Sequence, residues 1–140
     1  MYKVHKKELA TRPVCSDCGS ITYPLSKWVD LILQPIAQSM PSFIRDSFSF
    51  KAVSETITLA PGSFLWTADA KSMYTNIDTN DALSTICPFL RENERKFGHY
   101  NVATLISAIE IVMKNNIMKF GDLYRKQISG TAMGKPSAPS

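Results

Sequence analysis

The chain has 140 residues, of which 44% are hydrophobic and 20% charged. These proportions are typical of a globular chain with a core, and they exclude a disordered chain, a collagenous repeat and a disulfide-dense miniprotein. No apolar run approaches the roughly 18 residues that cross a bilayer, so we expect no membrane association. A net charge of +4 is compatible with a polyanionic partner. Three cysteines, an odd number without a signal peptide, predict a reducing, intracellular setting.

The first half of the chain predicts two helices. From Pro24 onward, apolar residues recur at helical spacing up to Ile36, and Pro35 should kink or end this helix. A short second helix is predicted at 51–56. We interpret the aromatic and apolar residues of the helices, among them Trp28 and Ile109, as core.

A strand is predicted next. Pro61 and Gly62 indicate a turn, and the apolar run 64–68 has the length of a buried strand that ends at Asp69. A carboxylate there is costly to bury unless it binds a cation or a partner, although a strand-ending aspartate is more often a turn or cap residue.

The second half predicts two helices and a hairpin. Thr79 and Asn80 could cap a helix that contains Pro88. Asn101 opens the most regular apolar stripe, which should stop near 115–116. Segments 117–120 and 123–128 flank a Gly-Asp dipeptide at hairpin spacing, and a loop rich in Gly and Pro follows from 129. This ending, without a closing helix, predicts a fragment of a larger protein.

Cys15 and Cys18 form a CxxC pair, which alone falls short of the four ligands of structural zinc. Only Cys87, His5 and His99 remain, each far from the others in sequence. We therefore expect two buried or half-buried thiols rather than a zinc site.

Several segments together match one family. Residues 2–6 read Tyr-Lys-Val-His-Lys, 12–14 read Arg-Pro-Val, and 67–77 read Thr-Ala-Asp-Ala-Lys-Ser-Met-Tyr-Thr-Asn-Ile. Residues 130–140 read Gly-Thr-Ala-Met-Gly-Lys-Pro-Ser-Ala-Pro-Ser. In this order the segments resemble the reverse transcriptase domain of Penelope-like retroelements, over nearly the whole chain.

The resemblance implies an α/β (α+β) fragment of the fingers and palm of a right-hand polymerase, with helices packed on a small antiparallel sheet. About 1–60 would be fingers-like and about 61–140 palm-like. The implied activity is that of an RNA-directed DNA polymerase, which transfers a nucleotidyl group to a primer 3′-hydroxyl. Its partners would be an RNA template, a DNA primer and deoxynucleoside triphosphates, and its cofactors two Mg²⁺ or Mn²⁺ ions.

The resemblance also assigns roles to residues. Asp69 would be catalytic and bind both ions, with the Ala70 carbonyl as a further metal ligand. The triphosphate would be bound by basic fingers residues, namely Lys3, Lys6 and Arg12. Tyr74 would lie under the sugar, and Met133 with Gly134 would let the backbone approach the nascent base pair.

Departures from the family pattern leave other functions open. The family's tandem aspartates do not occur, since no two acidic residues are adjacent in the chain. Cys15 and Cys18 are atypical, and Tyr2 replaces a usual proline. The alternatives are a non-catalytic nucleic-acid-binding remnant of a retroelement and a small zinc-stabilised interaction module.

Overall fold

The structure, a computed structural model, describes residues 17–138. It is a mixed α+β chain in which helices predominate. In chain order its elements are α1 (Tyr23–Gln38), α2 (Ser47–Glu55), α3 (Met73–Asn76), α4 (Thr79–Glu92), a 3₁₀ helix (Glu94–Phe97), α5 (Val102–Lys114), β1 (Ile117–Phe120) and β2 (Leu123–Lys126). No helix among the described residues is long and apolar enough to span a membrane.

Helix α1 confirms the helix predicted from Pro24. Pro24 lies in its first turn, where the missing N–H costs no intrahelical hydrogen bond. Pro35 lies inside the helix, which nevertheless continues to Gln38, one residue before its C-cap, Ser39. The Ser39 N–H donates to the carbonyls of Pro35 and Ile36, so the final turn closes after the proline.

Side-chain caps fix where α4 and α5 begin. The prediction that Asn101 opens α5 is confirmed, because its side chain accepts a hydrogen bond from the Thr104 N–H at 3.0 Å. The cap of α4 was predicted one residue too late. Asp78 fills that position, and its carboxylate accepts from the N–H groups of Asn80 and Asp81.

The core lies between α1, α4 and α5, where α5 packs against both of the others. Leu105 of α5 is fully buried at its centre. Ile109 is buried in the same cluster, and the partly buried Trp28 of α1 packs against this cluster. The interpretation of both residues as part of the core is confirmed. The buried hydrophobic residues are Val29, Ile32, Ile36, Leu83, Leu90, Phe97, Val102, Leu105, Ala108, Ile109 and Val112.

The stretch from 43 to 70 behaves differently from the core. The helix predicted at 51–56 is present as α2, but none of its residues is buried. The prediction of a buried strand at 64–68 is wrong, because this segment is irregular and Trp66 is 83% exposed. A strand needs a neighbour for its hydrogen bonds and a surface for its side chains, and the described residues offer this segment neither.

Strands β1 and β2 form the predicted antiparallel hairpin, with Ile117 opposite Lys126 and Phe120 opposite Leu123. The turn passes through Gly121 at a φ of +60°, which suits glycine. Strand β2 ends at Lys126, two residues before the predicted end. Seven of the eight strand residues are exposed, the exception being the half-buried Met118, so the hairpin adds little to the core.

Candidate functional site

Two distant segments of the chain meet through their backbones beside α3. The Thr131 N–H donates to the Tyr74 carbonyl at 2.6 Å. Gly130 has a φ of +80°, and a Cβ at this position would lie 2.7 Å from the Tyr74 oxygen and 2.8 Å from the Thr75 Cα. Only glycine fits both the dihedral angle and the space. This contact joins residues of segment 67–77 to Gly130 and Thr131, which begin the last segment of the sequence resemblance.

The predicted site residues of segment 67–77 lie at or near the surface. Asp69 and Ala70 are exposed in an irregular stretch, so the expectation that a buried strand delivers Asp69 is wrong. Tyr74 is half-buried in α3. Immediately before α3 the backbone turns at Ser72 with a φ of +55°, a left-handed conformation that non-glycine residues rarely adopt.

The donors for a metal ion are sparse. In the part of the chain that the structure describes, no three His, Cys, Asp or Glu side chains converge. The Asp69 carboxylate and the Ala70 carbonyl do not by themselves fit a pair of divalent ions, which need several oxygen ligands.

Segments 2–6 and 12–14 of the resemblance lie outside the described residues, and so do Lys3, Lys6, Arg12 and Cys15. Cys18 is exposed, so the expectation of a buried or half-buried thiol is wrong at that position. In the second motif, Met133 is half-buried and Gly134 exposed. Close approach between two segments of the chain occurs at Gly130.

Lys135 is a structural residue that the sequence analysis missed. Its side chain is buried, and the ammonium donates to the Thr22 hydroxyl at 2.8 Å and to the Val112 carbonyl at 2.9 Å. Burial lowers the pKa of Lys135, and the charge of Asp17 partly offsets this. The buried ammonium thus ties residues 130–138 to the start of α1 and the last turn of α5.

A pair of serines reinforces this attachment. Ser26 is fully buried in α1, and its hydroxyl lies 2.9 Å from that of Ser137 and accepts from the Ser137 N–H at 3.2 Å. In the sequence, Lys135 and Ser137 stand in a stretch rich in small residues. Such a stretch is also typical of a solvated loop, so the sequence did not predict either attachment.

A cavity of about 240 Å³ with a mostly apolar surface opens beside the same segment. Asp17, Asn116 and Lys135 line it together with Thr75 and Met133. Asp17 and Asn116 are 8% and 5% exposed, yet Asp17 Oδ2 and Asn116 Oδ1 have no hydrogen-bond partner among residues 17–138. Both oxygens have almost no accessible surface, so they are enclosed by the protein rather than exposed to the cavity.

A second cavity, of about 250 Å³, is mainly apolar and lies between α1, α4 and α5. Its wall includes Ile77 and Ile109, and Lys135 and Ser137 close one side. Thr131 and Lys135 line both cavities.

Comparisons with known protein families, with curated proteins and with solved structures found no match to this chain. Any function proposed for the chain therefore rests on its own sequence and geometry.

Proposed function

We propose that the chain is part of a reverse transcriptase of the Penelope-like type, with residues 1–60 in the fingers and 61–140 in the palm. In the complete enzyme this part would help to position a deoxynucleotide and a primer 3′-hydroxyl on an RNA template. The contact between Gly130–Thr131 and Tyr74–Thr75 carries the proposal. It joins the segment whose tyrosine would lie under the sugar to the segment that would face the nascent base pair.

The geometry around this contact supports the proposal. Thr75 and Met133 line the same cavity, so the two segments share one surface. The left-handed turn at Ser72 lies between Asp69 and Tyr74, and such backbone strain is often found at functional sites.

The proposal requires acidic groups in addition to Asp69. Transfer of a nucleotidyl group through two divalent ions needs several carboxylate oxygens, which the described residues do not bring together. We therefore expect the 140-residue chain to extend no primer by itself. Extension above background by the purified chain, with contaminating polymerases excluded, would contradict this expectation.

The decisive experiment concerns Tyr74 in a longer protein that includes tandem aspartates. A ring beneath the sugar leaves no room for a 2′-hydroxyl, so Tyr74→Ala should raise ribonucleotide use relative to deoxyribonucleotide use at least tenfold, or about 1.4 kcal/mol. Tyr74→Phe keeps the ring and serves as the control, with an unchanged ratio. If Tyr74→Ala lowers both activities together at a constant ratio, the tyrosine is packing and the proposal fails.

A second candidate, nucleic-acid binding without catalysis, is favoured by the β1–β2 hairpin. Lys119, Lys126 and Tyr124 share one exposed face, and the Lys119 ammonium lies 5.7 Å from the centroid of the Tyr124 ring. Exposed cations beside an aromatic ring suit the phosphates and bases of a single strand. Arg125 lies on the opposite face and provides a matched control.

The two candidates make different demands on the hairpin. If the hairpin is the main binding surface, replacing both Lys119 and Lys126 with Gln should weaken the salt dependence of single-stranded RNA binding. The slope of log affinity against log salt concentration should become shallower by about 1.4. Arg125→Gln should change this slope by less. Equal effects of the variants on both faces would count against this candidate.

A further inference from the structure

The cavity between α1, α4 and α5 has a volume of about 250 Å³ and a mostly apolar surface. Its wall includes apolar side chains that are only partly buried and so keep accessible surface: Leu33 of α1, Ile86 and Phe89 of α4, and Met113 of α5. All four pack against the buried core, which holds this wall in place. Water beside such a wall is poorly accommodated, and an apolar molecule that displaces it gains binding free energy.

The polar groups at one side of the cavity are already engaged within the chain. Lys135 and Ser137 line this side. The Lys135 ammonium donates to the Thr22 hydroxyl and the Val112 carbonyl, and the Ser137 hydroxyl lies 2.9 Å from that of Ser26. An occupant would therefore be held mainly by apolar contacts rather than by hydrogen bonds.

The charges near the cavity favour an uncharged occupant. The Lys135 ammonium repels a cation. An anion gains little from it, because two of its three N–H donors are already used and its charge interacts with that of Asp17. An ion of either sign would also give up its hydration against the apolar wall.

The volume and the surroundings of the cavity set the size of the occupant. Apolar cavities of about 150 Å³ accept benzene, and in proportion a cavity of about 250 Å³ suits roughly ten carbon atoms, as in two fused rings. The cavity is partly open to solvent, which gives such a molecule a way in. Three helices and residues 130–138 surround the space, so it suits a small molecule better than the broad surface of a second protein.

We propose that this cavity binds an uncharged, apolar small molecule about the size of two fused aromatic rings. The partly buried side chains of α1, α4 and α5 contact the ligand, and the flexible thioethers of Met40 and Met113 adapt to its shape. The inference goes beyond the polymerase proposal, since it needs no nucleotide, template or divalent ion, and it would stand if the Tyr74 experiment failed.

The test adds naphthalene, which has this size and no charge, to the purified 140-residue chain and follows the side-chain methyl groups by NMR. The methyl signals of Leu33 and Ile86 should shift until the site is saturated. Those of Leu59 and Leu65, which are 50% and 84% exposed outside the cavity, should not shift. Unchanged signals throughout would overturn the proposal. Larger shifts at Leu59 and Leu65 than at the cavity would also overturn it, because naphthalene would then bind to any exposed apolar surface.

Ala82→Phe tests the space itself. Ala82 is a partly buried residue of α4 that lines the cavity, and a ring at this position takes up volume that the ligand needs, so naphthalene should bind at least tenfold more weakly. Ala52→Phe adds the same ring to the exposed α2 and should leave the affinity unchanged. Equal affinity of Ala82→Phe and the wild type, or equal losses in both variants, would overturn the proposal. The methyl shifts of the wild type decide the matter even if Ala82→Phe fails to fold.

Discussion

Two regions of the chain are rich in apolar residues, but only one of them buries its side chains. In the helical core, formed by α1, α4 and α5, apolar residues recur along one face of each helix and meet a similar face of a neighbour. In the exposed stretch, residues 43–70, every large apolar side chain is exposed, from Phe43 to Trp66. Apolar composition alone therefore does not bury a segment, because burial requires a matching surface as well.

The largest contrast between the two regions should appear with one substitution made in both. Leu105→Ala removes a fully buried side chain from the core and should lower the free energy of unfolding by about 2–5 kcal/mol. Leu65→Ala acts on a side chain that is 84% exposed, and it should change the free energy of unfolding by less than about 0.5 kcal/mol. Urea denaturation of both variants measures the difference. Similar losses would show that the exposed stretch packs against something in solution.

Two glycines separate backbone strain from steric conflict. Gly62 in the exposed stretch and Gly130 beside the core have φ values of +85° and +80°. Alanine at either position suffers the same dihedral strain, but only at Gly130 does the new Cβ meet backbone atoms closer than 3.0 Å. Gly130→Ala should therefore destabilise the chain by roughly 1–3 kcal/mol more than Gly62→Ala. Equal losses in thermal denaturation would mean that segment 130–140 is not held against Tyr74.

Lys135 offers a test that depends on pH. Lys135→Met leaves the Thr22 hydroxyl and the Val112 carbonyl without a donor and should cost about 1–3 kcal/mol. Because burial lowers the pKa of Lys135 in the folded state below its ordinary value of 10.5, the unfolded chain binds more protons between the two values. Wild-type stability, taken relative to Lys135→Met, should accordingly rise as the pH increases toward 10.5.

Denaturation at a series of alkaline pH values measures that rise. Lys119→Met, which removes an exposed lysine from the hairpin, is the control and should follow the wild type throughout. A constant difference between the wild type and Lys135→Met would indicate that the ammonium is as well solvated in the folded chain as in the unfolded one.

The smallest effects concern the helix caps of the two regions. Asn101→Ala removes the cap of α5 and should lower global stability by about 1 kcal/mol, whereas Asn101→Asp should retain most of it. Asp46→Ala removes the cap of α2, which buries nothing, and should reduce helix content without moving the global transition.

The Asp46 cap also has a pH dependence of known sign. The Ser49 N–H, followed by the Arg45 side chain, lowers the pKa of Asp46 below 3.8. Its contribution to α2 is complete above 3.8 and is lost as the pH falls through the lowered value. Protection of the α2 amides from hydrogen exchange, taken relative to the intrinsic rate at each pH, should therefore fall in acid before that of the α5 amides. A simultaneous fall in protection would place both helices in one cooperative unit.

The sequence predicted those elements whose signals are local. The apolar stripe and the Asn101 cap define α5, and the Gly-Asp turn defines the hairpin, so both were predicted within two residues. The strand at 64–68 was predicted from its apolar residues alone. Whether such a segment forms a strand depends on a second strand to pair with, which no local pattern reveals. The cap of α4 was missed by one residue because Asp78, Thr79 and Asn80 are all good cap residues.

The site was harder to predict because its interactions join residues that are far apart in the sequence. Lys135 is held by Thr22 and Val112, and Gly130 is required by Tyr74, so the signal for each residue lies in distant parts of the chain. Asp17 and Asn116 have ordinary sequence contexts, and no local pattern predicts that both side chains are buried.

The tie between Lys135 and Thr22 has a consequence for the rate at which the chain folds and unfolds. It spans 113 residues, and the serine pair beside it spans 111. Closing so long a loop costs more chain entropy than forming the contacts within α4 and α5, so the tie should form after the rate-limiting barrier has been crossed. An interaction absent from the transition state slows unfolding and leaves the folding rate unchanged. Lys135 would thus govern how long the folded chain persists rather than how fast it is made.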